Sequence, residues 1–236
     1  MDKQPDPPAQ TAGSSTYTPF LLKLYDLVVL SISNSYAWNC STQAVQLPLF
    51  QSSLGRKHLD VGVGTGYYPA NALRAKTPCR EIVLLDLNPN ALDLAAARIA
   101  AAQPAVKVRP VVADVTTASP LPLPAGEKFD SVSVFYLLHC LAGPPEGKNR
   151  VFDLLRGYVA DGGVLVGTTI LGEERPMNWL ARRLMAIYNA KGIFDNWDDT
   201  RAVFEEGLRR NFREVDVQII GRTMVFTARS PLKASS

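Results

Sequence analysis

The stretch His58-Leu-Asp-Val-Gly-Val-Gly-Thr-Gly-Tyr-Tyr-Pro69 decides the fold of this 236-residue chain. Its apolar start is typical of a buried strand, its glycines of a tight turn, and Pro69 of the first turn of a helix. Glycines in such a turn let a ligand touch backbone that side chains would otherwise cover. The stretch therefore predicts a strand, a ligand-binding loop and a helix in direct succession.

The spacing of these glycines disfavours the two common phosphate-binding loops. A dinucleotide fingerprint requires its last glycine at the position of Tyr67, whereas the third glycine of this chain is Gly66. The loop of nucleotide triphosphatases requires Gly-Lys followed by Ser or Thr, which this segment lacks. The alternatives left open are a different kind of cofactor loop and a plain strand-to-helix turn.

Outward from the loop, short β-branched runs alternate with segments of helical periodicity. Strands are predicted at 58–63, 81–87, 106–115, 129–138 and 164–171. Asn88-Pro89 is predicted to start one helix, and another is predicted over 147–158, before a turn at 161–163. Near-continuous apolar strands in β-α-β order predict a parallel sheet with helices on both faces.

The two ends of the chain depart from this alternation. Helices are predicted from Thr18-Pro19, from Pro176 and from Asp198-Asp199, and strands at 213–220 and 222–228 predict a closing hairpin around Gly221. Residues 1–16, rich in Pro, Gln, Gly and Ser, and the tail 230–236 are predicted to be disordered. The folded part is therefore predicted to be one domain over 17–229.

The pattern Asp60-x-Gly-x-Gly-x-Gly66 resembles motif I of the class I S-adenosylmethionine-dependent methyltransferases. The resemblance implies a three-layer α/β/α Rossmann-like fold with a seven-stranded, mostly parallel sheet and a C-terminal antiparallel hairpin. It also implies that the glycine backbone packs against the methionine part of S-adenosylmethionine, and that Asp60 helps to hold the ammonium group. The cofactor-binding residues expected on this basis are Asp60, Gly62, Gly64, Gly66, Asp86, Leu87, Asp114, Val115 and Phe135.

The second and third predicted strands end in acidic residues, Asp86 and Asp114, in register with Asp60. Asp86 lies about 20 positions beyond the glycines, the offset at which a carboxylate bonds vicinal ribose hydroxyls. Asp86 alternatively caps the following helix, but Asn88 is the better candidate for that cap. Asp114 matches the family position that meets the adenine amino group, and alone it is equally a turn residue.

The fourth predicted strand resembles motif IV of the same family, which lies beside the sulfonium and the acceptor. Nucleic-acid and protein-amide methyltransferases often carry Asn/Asp-Pro-Pro-Tyr at this place, and this chain does not, so a small-molecule acceptor is expected. His139 follows the strand and is the candidate catalytic base, because imidazole titrates near neutral pH. The alternative is a loop histidine hydrogen-bonded to backbone. No acidic cluster of the kind that binds a metal follows the strand.

In this family the acceptor is usually selected by an N-terminal lid and an insert before the last helix. The corresponding segments are 17–56, where Tyr25-Asp26 resembles a lid signature, and 172–197. An aromatic cage there would suit a flat or cationic acceptor. Ordinary packing is the competing role for each aromatic. The substrate-binding candidates are Tyr25, Tyr36, Trp38, Tyr188 and Trp197.

Composition excludes several other classes of function. The 25 basic and 22 acidic residues are spread along the chain, which gives no basic block for a nucleic-acid partner. No apolar run reaches membrane-spanning length, and the first residues lack the apolar region of a secretory signal. The 3 cysteines show neither disulfide nor zinc-ligand spacing, which favours a cytoplasmic location.

These observations predict a methyltransferase that acts on oxygen or nitrogen of a small molecule, as a tailoring enzyme of secondary metabolism would. S-adenosylhomocysteine is then the second product. One rival keeps the cofactor but catalyses cyclisation or isomerisation, which leaves the mass of the substrate unchanged. A further alternative is a regulatory protein that binds the cofactor without turnover. The last alternative is a nucleotide-dependent oxidoreductase.

Overall fold

The computed structural model of the chain describes residues 33–173 and 175–233. The disorder predicted for residues 1–16, the helix predicted from Thr18-Pro19 and the lid candidate Tyr25 therefore lie outside the described residues. The described part of the predicted lid consists largely of helix. A π-helical turn, Thr42–Gln46, continues there into an α-helix, Leu47–Ser53.

A seven-stranded sheet forms the centre of the fold, in the order β3-β2-β1-β4-β5-β7-β6. The first five strands pair in parallel, and β7 is antiparallel to both of its neighbours. The predicted fold class, including the C-terminal hairpin, is thereby confirmed. The strands are β1 Lys57–Val61, β2 Glu81–Asp86, β3 Lys107–Val112, β4 Phe129–Phe135, β5 Val159–Ile170, β6 Phe212–Ile220 and β7 Thr223–Pro231.

Helices cover both faces of this sheet. The α-helices are α1 Leu47–Ser53, α2 Tyr67–Ala72, α3 Pro89–Ala102, α4 Pro145–Lys148, α5 Arg150–Leu155, α6 Trp179–Ala190 and α7 Arg201–Asn211. Short 3₁₀ turns follow β4 at Leu138–Cys140 and α5 at Arg156–Tyr158. The predicted cap of α3 is confirmed, because the Asn88 side chain accepts a hydrogen bond from the Asn90 N–H at 3.0 Å.

The sheet is buried on both faces because successive strand residues point to opposite sides. Leu59 and Val61 of β1 belong to one apolar cluster, while Ile82 and Leu84 of β2 belong to the cluster on the other face. A third, smaller cluster lies around Trp38 and Phe194, beyond the carboxyl end of β5. Strands with two buried faces explain why the sequence shows near-continuous apolar runs.

Two predicted helix starts were wrong by a few residues, because polar side chains set the caps. The helix predicted from Pro176 begins at Trp179, after Asn178 accepts the Ala181 N–H at 2.7 Å. The helix predicted from Asp198-Asp199 begins at Arg201, and Thr200 accepts the Val203 N–H at its start. Asn and Thr oxygens satisfy the otherwise unpaired N–H groups of a first turn.

The other corrections concern boundaries around β5 and the tail. The helix predicted over 147–158 is divided into α4, α5 and a 3₁₀ turn. Strand β5 begins at Val159 and carries a register irregularity where the turn at 161–163 was predicted, since Phe129 pairs with Val159 but Ser131 with Val164. Strand β7 reaches Pro231, so the first two residues of the predicted disordered tail belong to the sheet.

A buried arginine ties the predicted insert to the hairpin. The Arg222 guanidinium is buried and donates hydrogen bonds to four backbone carbonyls at the start of the insert. The backbone N–H of Arg222 donates to the Trp38 carbonyl at 2.8 Å. The four carbonyls belong to Leu171, Gly172, Arg175 and Pro176. Burial lowers the pKa of Arg222 only to about 10, so the side chain stays charged at neutral pH.

Cys40, Cys79 and Cys140 are all free thiols. Within 33–173 and 175–233, no helix combines the length and the apolar character needed to cross a bilayer.

Candidate active site

The strand order reverses between β1 and β4, and the carboxyl ends of these two strands define the crevice of the sheet. From β1 the chain adds β2 and β3 on one side, and then returns to add β4 and β5 on the other. Ligands of open α/β sheets bind at such a switch point. Asp60 of β1 lies in register with Ser133 of β4 beside this crevice, one residue before β1 ends.

The glycine loop enters the crevice directly after β1, and each of its glycines has a left-handed backbone. The φ angles are 72°, 53° and 71° at Gly62, Gly64 and Gly66. A Cβ at Gly66 would lie 2.7 Å from the Ala95 Cα, so this glycine allows α3 to pack against the loop. A Cβ at Gly64 would meet nothing within 4 Å. The loop is therefore packed at one glycine and open at another, which leaves room for a ligand.

Asp86 joins the glycine loop to the start of α3. One carboxylate oxygen accepts the Gly64 N–H at 3.1 Å, and the other accepts the Asn88 N–H at 2.9 Å. Burial raises the pKa of Asp86, and the hydrogen bonds from backbone N–H groups partly oppose this shift. Because each carboxylate oxygen has two lone pairs, both oxygens keep acceptor capacity for a ligand hydroxyl.

Asp60 is almost completely buried, with 4% of its surface exposed. Burial raises the pKa of its carboxyl to about 7, the Ser133 hydroxyl opposes this by donating a hydrogen bond, and the nearby Asp86 adds to the increase. The Ser133 Oγ lies 2.5 Å from the Asp60 Oδ1. A carboxyl in this environment changes its charge near neutral pH, which is characteristic of functional sites.

The other predicted cofactor residues differ in what they present to the crevice. Asp114 accepts hydrogen bonds from the Thr116 N–H at 2.8 Å and the Thr116 hydroxyl at 2.6 Å. Leu87 is 57% exposed, a large apolar surface next to Asp86. The side chains of Val115 and Phe135 are buried in the two main apolar clusters, so only their backbone atoms are available to a ligand.

His139 lies on the other side of β4 from the glycine loop, between two aromatic rings. The ring centroids of Tyr136 and Phe194 are 5.4 Å and 4.4 Å from that of His139, both in edge-to-face arrangements. Tyr136 has a left-handed backbone, with a φ of 56°, directly after β4 ends. The imidazole is therefore held in a mainly apolar setting.

The protonation state of His139 follows from its contacts. The Ile170 N–H donates to the His139 Nδ1 at 3.3 Å, and the Thr169 Oγ1 lies 3.3 Å from the same nitrogen. Burial, followed by the charge of Lys148, lowers the pKa of His139 to about 3. The ring is thus neutral at physiological pH, and because Nδ1 accepts an N–H, the proton resides on Nε2.

The predicted substrate aromatics are distributed unevenly around the third apolar cluster. Tyr188 and Trp197 pack against this cluster, and the Tyr188 ring lies 4.9 Å from that of Phe194. Trp38 is 1% exposed and packs within the cluster, whereas Tyr36 is 67% exposed. The structure brings Trp38, Tyr188 and Trp197 together near His139 and leaves Tyr36 apart.

Sequence reasoning missed Gln46, which links three parts of the site. Its Nε2 donates to the Tyr136 hydroxyl at 2.7 Å and to the Cys40 carbonyl at 3.2 Å. Its Oε1 accepts the Tyr68 hydroxyl at 2.7 Å. Since Gln46 and Tyr136 are 90 positions apart, no local pattern in the sequence signals the contact.

Comparisons with known proteins agree with this geometry. Residues 59–165 match the model of a family described as a methyltransferase domain. An O-methyltransferase of Aspergillus niger is 51% identical over 75% of this chain and 92% of its own length. The physcion biosynthesis cluster O-methyltransferase of Aspergillus chevalieri is 42% identical over 93% of this chain and 95% of its own.

A solved structure shows the same fold. An O-methyltransferase family protein from Burkholderia thailandensis superposes with a TM-score of 0.62 at 20% identity, over 81% of this chain and 57% of that protein. The fold and the site define a class I S-adenosylmethionine-dependent methyltransferase. The chain belongs to that family, and it is an enzyme that transfers a methyl group to a small organic acceptor.

Proposed function

We propose that this chain binds S-adenosylmethionine in the crevice between β1 and β4 and methylates a hydroxyl oxygen of a small, flat, uncharged molecule of secondary metabolism. The proposal rests mainly on the position of Asp86 beside the glycine loop, where its carboxylate accepts a hydrogen bond from the Gly64 N–H. The choice of oxygen is supported by two similar proteins that are named O-methyltransferases.

The residues of the crevice fit the parts of this cofactor. The two Asp86 oxygens have acceptor capacity for vicinal ribose hydroxyls, and the exposed side chain of Leu87 offers an apolar surface to a purine. Asp114 would meet the adenine amino group, and Asp60 the ammonium group. When bound, the cofactor supplies an electrophilic methyl group on its sulfonium, and S-adenosylhomocysteine remains after the transfer.

The protein's own contribution to the reaction is alignment and exclusion of water. Methyl transfer is an in-line displacement, so a correctly placed acceptor oxygen accounts for much of the acceleration. The aromatic rings around His139 provide an apolar surface for a flat acceptor. The Lys148 ammonium near His139 lies 2.7 Å from the Asp199 carboxylate, and both side chains are buried. Because the two charges offset each other, the site favours an uncharged acceptor.

His139 is proposed to contact the acceptor as a hydrogen-bond donor. Since Nδ1 accepts the Ile170 N–H, the nitrogen available to a ligand carries a proton. An Nε2–H group directed at a hydroxyl oxygen fixes that oxygen and favours its anionic form, which arises when the hydroxyl proton is released to solvent before the methyl group is transferred. This role requires no titration of the imidazole between pH 6 and 8.

Incubation with methyl-labelled S-adenosylmethionine and a set of hydroxylated aromatic compounds tests the proposed reaction. The expected result is transfer of the label to an oxygen of at least one compound, identified by mass spectrometry and by NMR of the new methoxy group. Consumption of a compound at unchanged mass would instead identify a cyclase or isomerase. Transfer of the label only to nitrogen would refute the assignment to oxygen.

We expect His139→Ala to lower kcat/KM roughly 10- to 100-fold, because a hydrogen bond to a developing charge contributes about 1.5–3 kcal/mol. At saturating cofactor, with an acceptor that does not itself titrate, kcat of the wild type should stay level from pH 8 to pH 6. The physical reason is that the pKa of His139 lies at about 3. Steady-state kinetics across this range provide the measurement.

Thr169→Val is the matched control for His139, since it removes a hydroxyl beside Nδ1 but leaves the Ile170 N–H in place. It should retain most of the activity. A wild-type kcat that falls with a midpoint near pH 6.5, together with loss of that midpoint in His139→Gln, would show instead that His139 is a titrating base.

A further inference from the structure

Four polar side chains lie next to one another on the neighbouring strands β1 and β4, on one face of the sheet. His58 and Asp60 alternate on β1, Ser131 and Ser133 alternate on β4, and the parallel register places His58 beside Ser131 and Asp60 beside Ser133. All four are buried, and the Phe50 ring packs edge-to-face on His58 at 5.2 Å. Polar groups in an apolar layer are costly unless they are hydrogen-bonded to one another.

These side chains form one continuous chain of hydrogen bonds. The Gly55 N–H donates to the Ser131 Oγ at 2.8 Å, and that oxygen lies 2.7 Å from the His58 Nδ1. The His58 Nε2 lies 2.9 Å from the Ser133 Oγ. The chain ends where the Ser133 hydroxyl donates to the Asp60 Oδ1.

The chemistry of the donors fixes the direction of this chain. Ser133 has a single hydroxyl proton and gives it to Asp60, so its oxygen must accept the proton of the His58 Nε2. The His58 Nδ1 then accepts the Ser131 hydroxyl, whose oxygen already accepts a backbone N–H. Every donor therefore points toward Asp60, which favours the carboxylate form of Asp60 over the protonated form.

We propose that His58 and Ser133 are positioning residues for cofactor binding, and that their hydrogen-bond chain holds Asp60 ionised and fixed in orientation for the ammonium group of the cofactor. This inference rests on the proposed cofactor site. His58 and Ser133 act through Asp60 and need not touch the cofactor. The chain explains why two central strands carry His-x-Asp opposite Ser-x-Ser, where apolar residues would pack without unpaired groups.

Burial and a neighbouring charge both disfavour the ionised form of Asp60, so the hydrogen-bond chain is needed to stabilise it. Burial and the Asp86 carboxylate both raise the pKa of Asp60, which reaches about 7, and Ser133 is the group that opposes them. The other titratable neighbour, His58, contributes no charge, because burial lowers its pKa to about 3. Without the Ser133 hydroxyl, a larger share of Asp60 would be protonated at neutral pH and unable to pair with an ammonium group.

Calorimetric titration with S-adenosylhomocysteine from pH 6 to 8.5 tests the inference on wild type and on Ser133→Ala. The wild-type affinity is expected to fall as the pH drops through about 7, where Asp60 takes up a proton. In Ser133→Ala the midpoint of this pH-dependent loss of affinity should move to higher pH. A shift of one pKa unit gives a roughly fivefold weaker affinity at pH 7, close to tenfold at pH 6, and a much smaller difference at pH 8.5.

Two further variants make the test independent of simple damage to the fold. Thr168→Val removes another buried hydroxyl, one that has no hydrogen-bond partner among the described residues. It should leave the dependence of affinity on pH unchanged. Ser131→Ala interrupts the chain on the far side of His58 and should shift the midpoint upward by a smaller amount. This variant carries the test if Ser133→Ala does not fold.

The outcomes separate this inference from the proposed function. A loss of affinity in Ser133→Ala that is equal at every pH, or no loss at any pH, would overturn the positioning role while leaving the cofactor site intact. Failure of the wild type to bind S-adenosylhomocysteine at any pH would overturn the cofactor site itself.

Discussion

Replacing Asp86 by Ala is expected to weaken the binding of S-adenosylhomocysteine by roughly 100-fold or more. The two hydrogen bonds proposed between ribose hydroxyls and the Asp86 carboxylate would be lost, each contributing about 1.5–3 kcal/mol. The glycine loop also loses its anchor, because the Gly64 N–H no longer has the carboxylate as its acceptor. Isothermal titration calorimetry of the purified variant measures the change directly.

Asp161→Ala provides the control for Asp86. Asp161 is an exposed aspartate near the amino end of β5, whereas Asp86 lies at the carboxyl end of β2. Its affinity should match that of the wild type. Chemical denaturation of both variants separates loss of binding from loss of stability. If Asp86→Ala is destabilised but binds with nearly wild-type affinity, Asp86 only anchors the loop and the ribose assignment is wrong.

Replacing Gly66 by Ala is expected to destabilise the protein by roughly 2–5 kcal/mol. A left-handed backbone, here with a φ of 71°, costs about 1–2 kcal/mol for a residue with a Cβ. The added methyl group would also lie 2.7 Å from the Ala95 backbone, which forces α3 away at a cost of about 1–3 kcal/mol. Thermal unfolding should show Tm lower by roughly 10 °C.

Gly64→Ala is the matched comparison, because this glycine shares the left-handed backbone but has open space around its Cα. Its Tm should fall by less than half as much as that of Gly66→Ala. Its methyl group would stand in the space proposed for the cofactor, so it should bind S-adenosylhomocysteine far more weakly. Equal losses of Tm in the two variants would contradict the packing role assigned to Gly66.

Local sequence patterns predicted where the glycine loop, Asp60 and Asp86 lie relative to the strands. The offsets of the glycines, of Asp60 and of Asp86 are set within one strand-turn-helix unit and its neighbour, and short-range geometry fixes where such residues lie. The cap at Asn88 is equally local, since its oxygen reaches an N–H two positions away. Whether these residues bind the cofactor as expected stays a prediction.

The candidate acceptor side of the site is assembled from distant parts of the chain, so local patterns carry little information about its geometry. Tyr36 and Trp38 are two positions apart in the sequence, yet one is largely exposed and the other fully buried. No α-helical or strand periodicity distinguishes them, since residues 33–37 form a π-helical turn and residues 38–40 belong to no helix or strand. The setting of His139 likewise depends on Phe194 and Ile170, which other elements bring to it.

The sequence by itself determined the class of fold, the order of strands and helices along the chain, and the loop at which a cofactor would bind. These features depend on apolar periodicity, turn residues and spacing, which are local properties of a polypeptide. The tertiary structure alone decided that His58 and Ser133 support Asp60, that Gln46 joins Tyr136 to Tyr68, and that the imidazole of His139 is neutral. Each of these depends on burial and on strand register, which exist only after the sheet has formed.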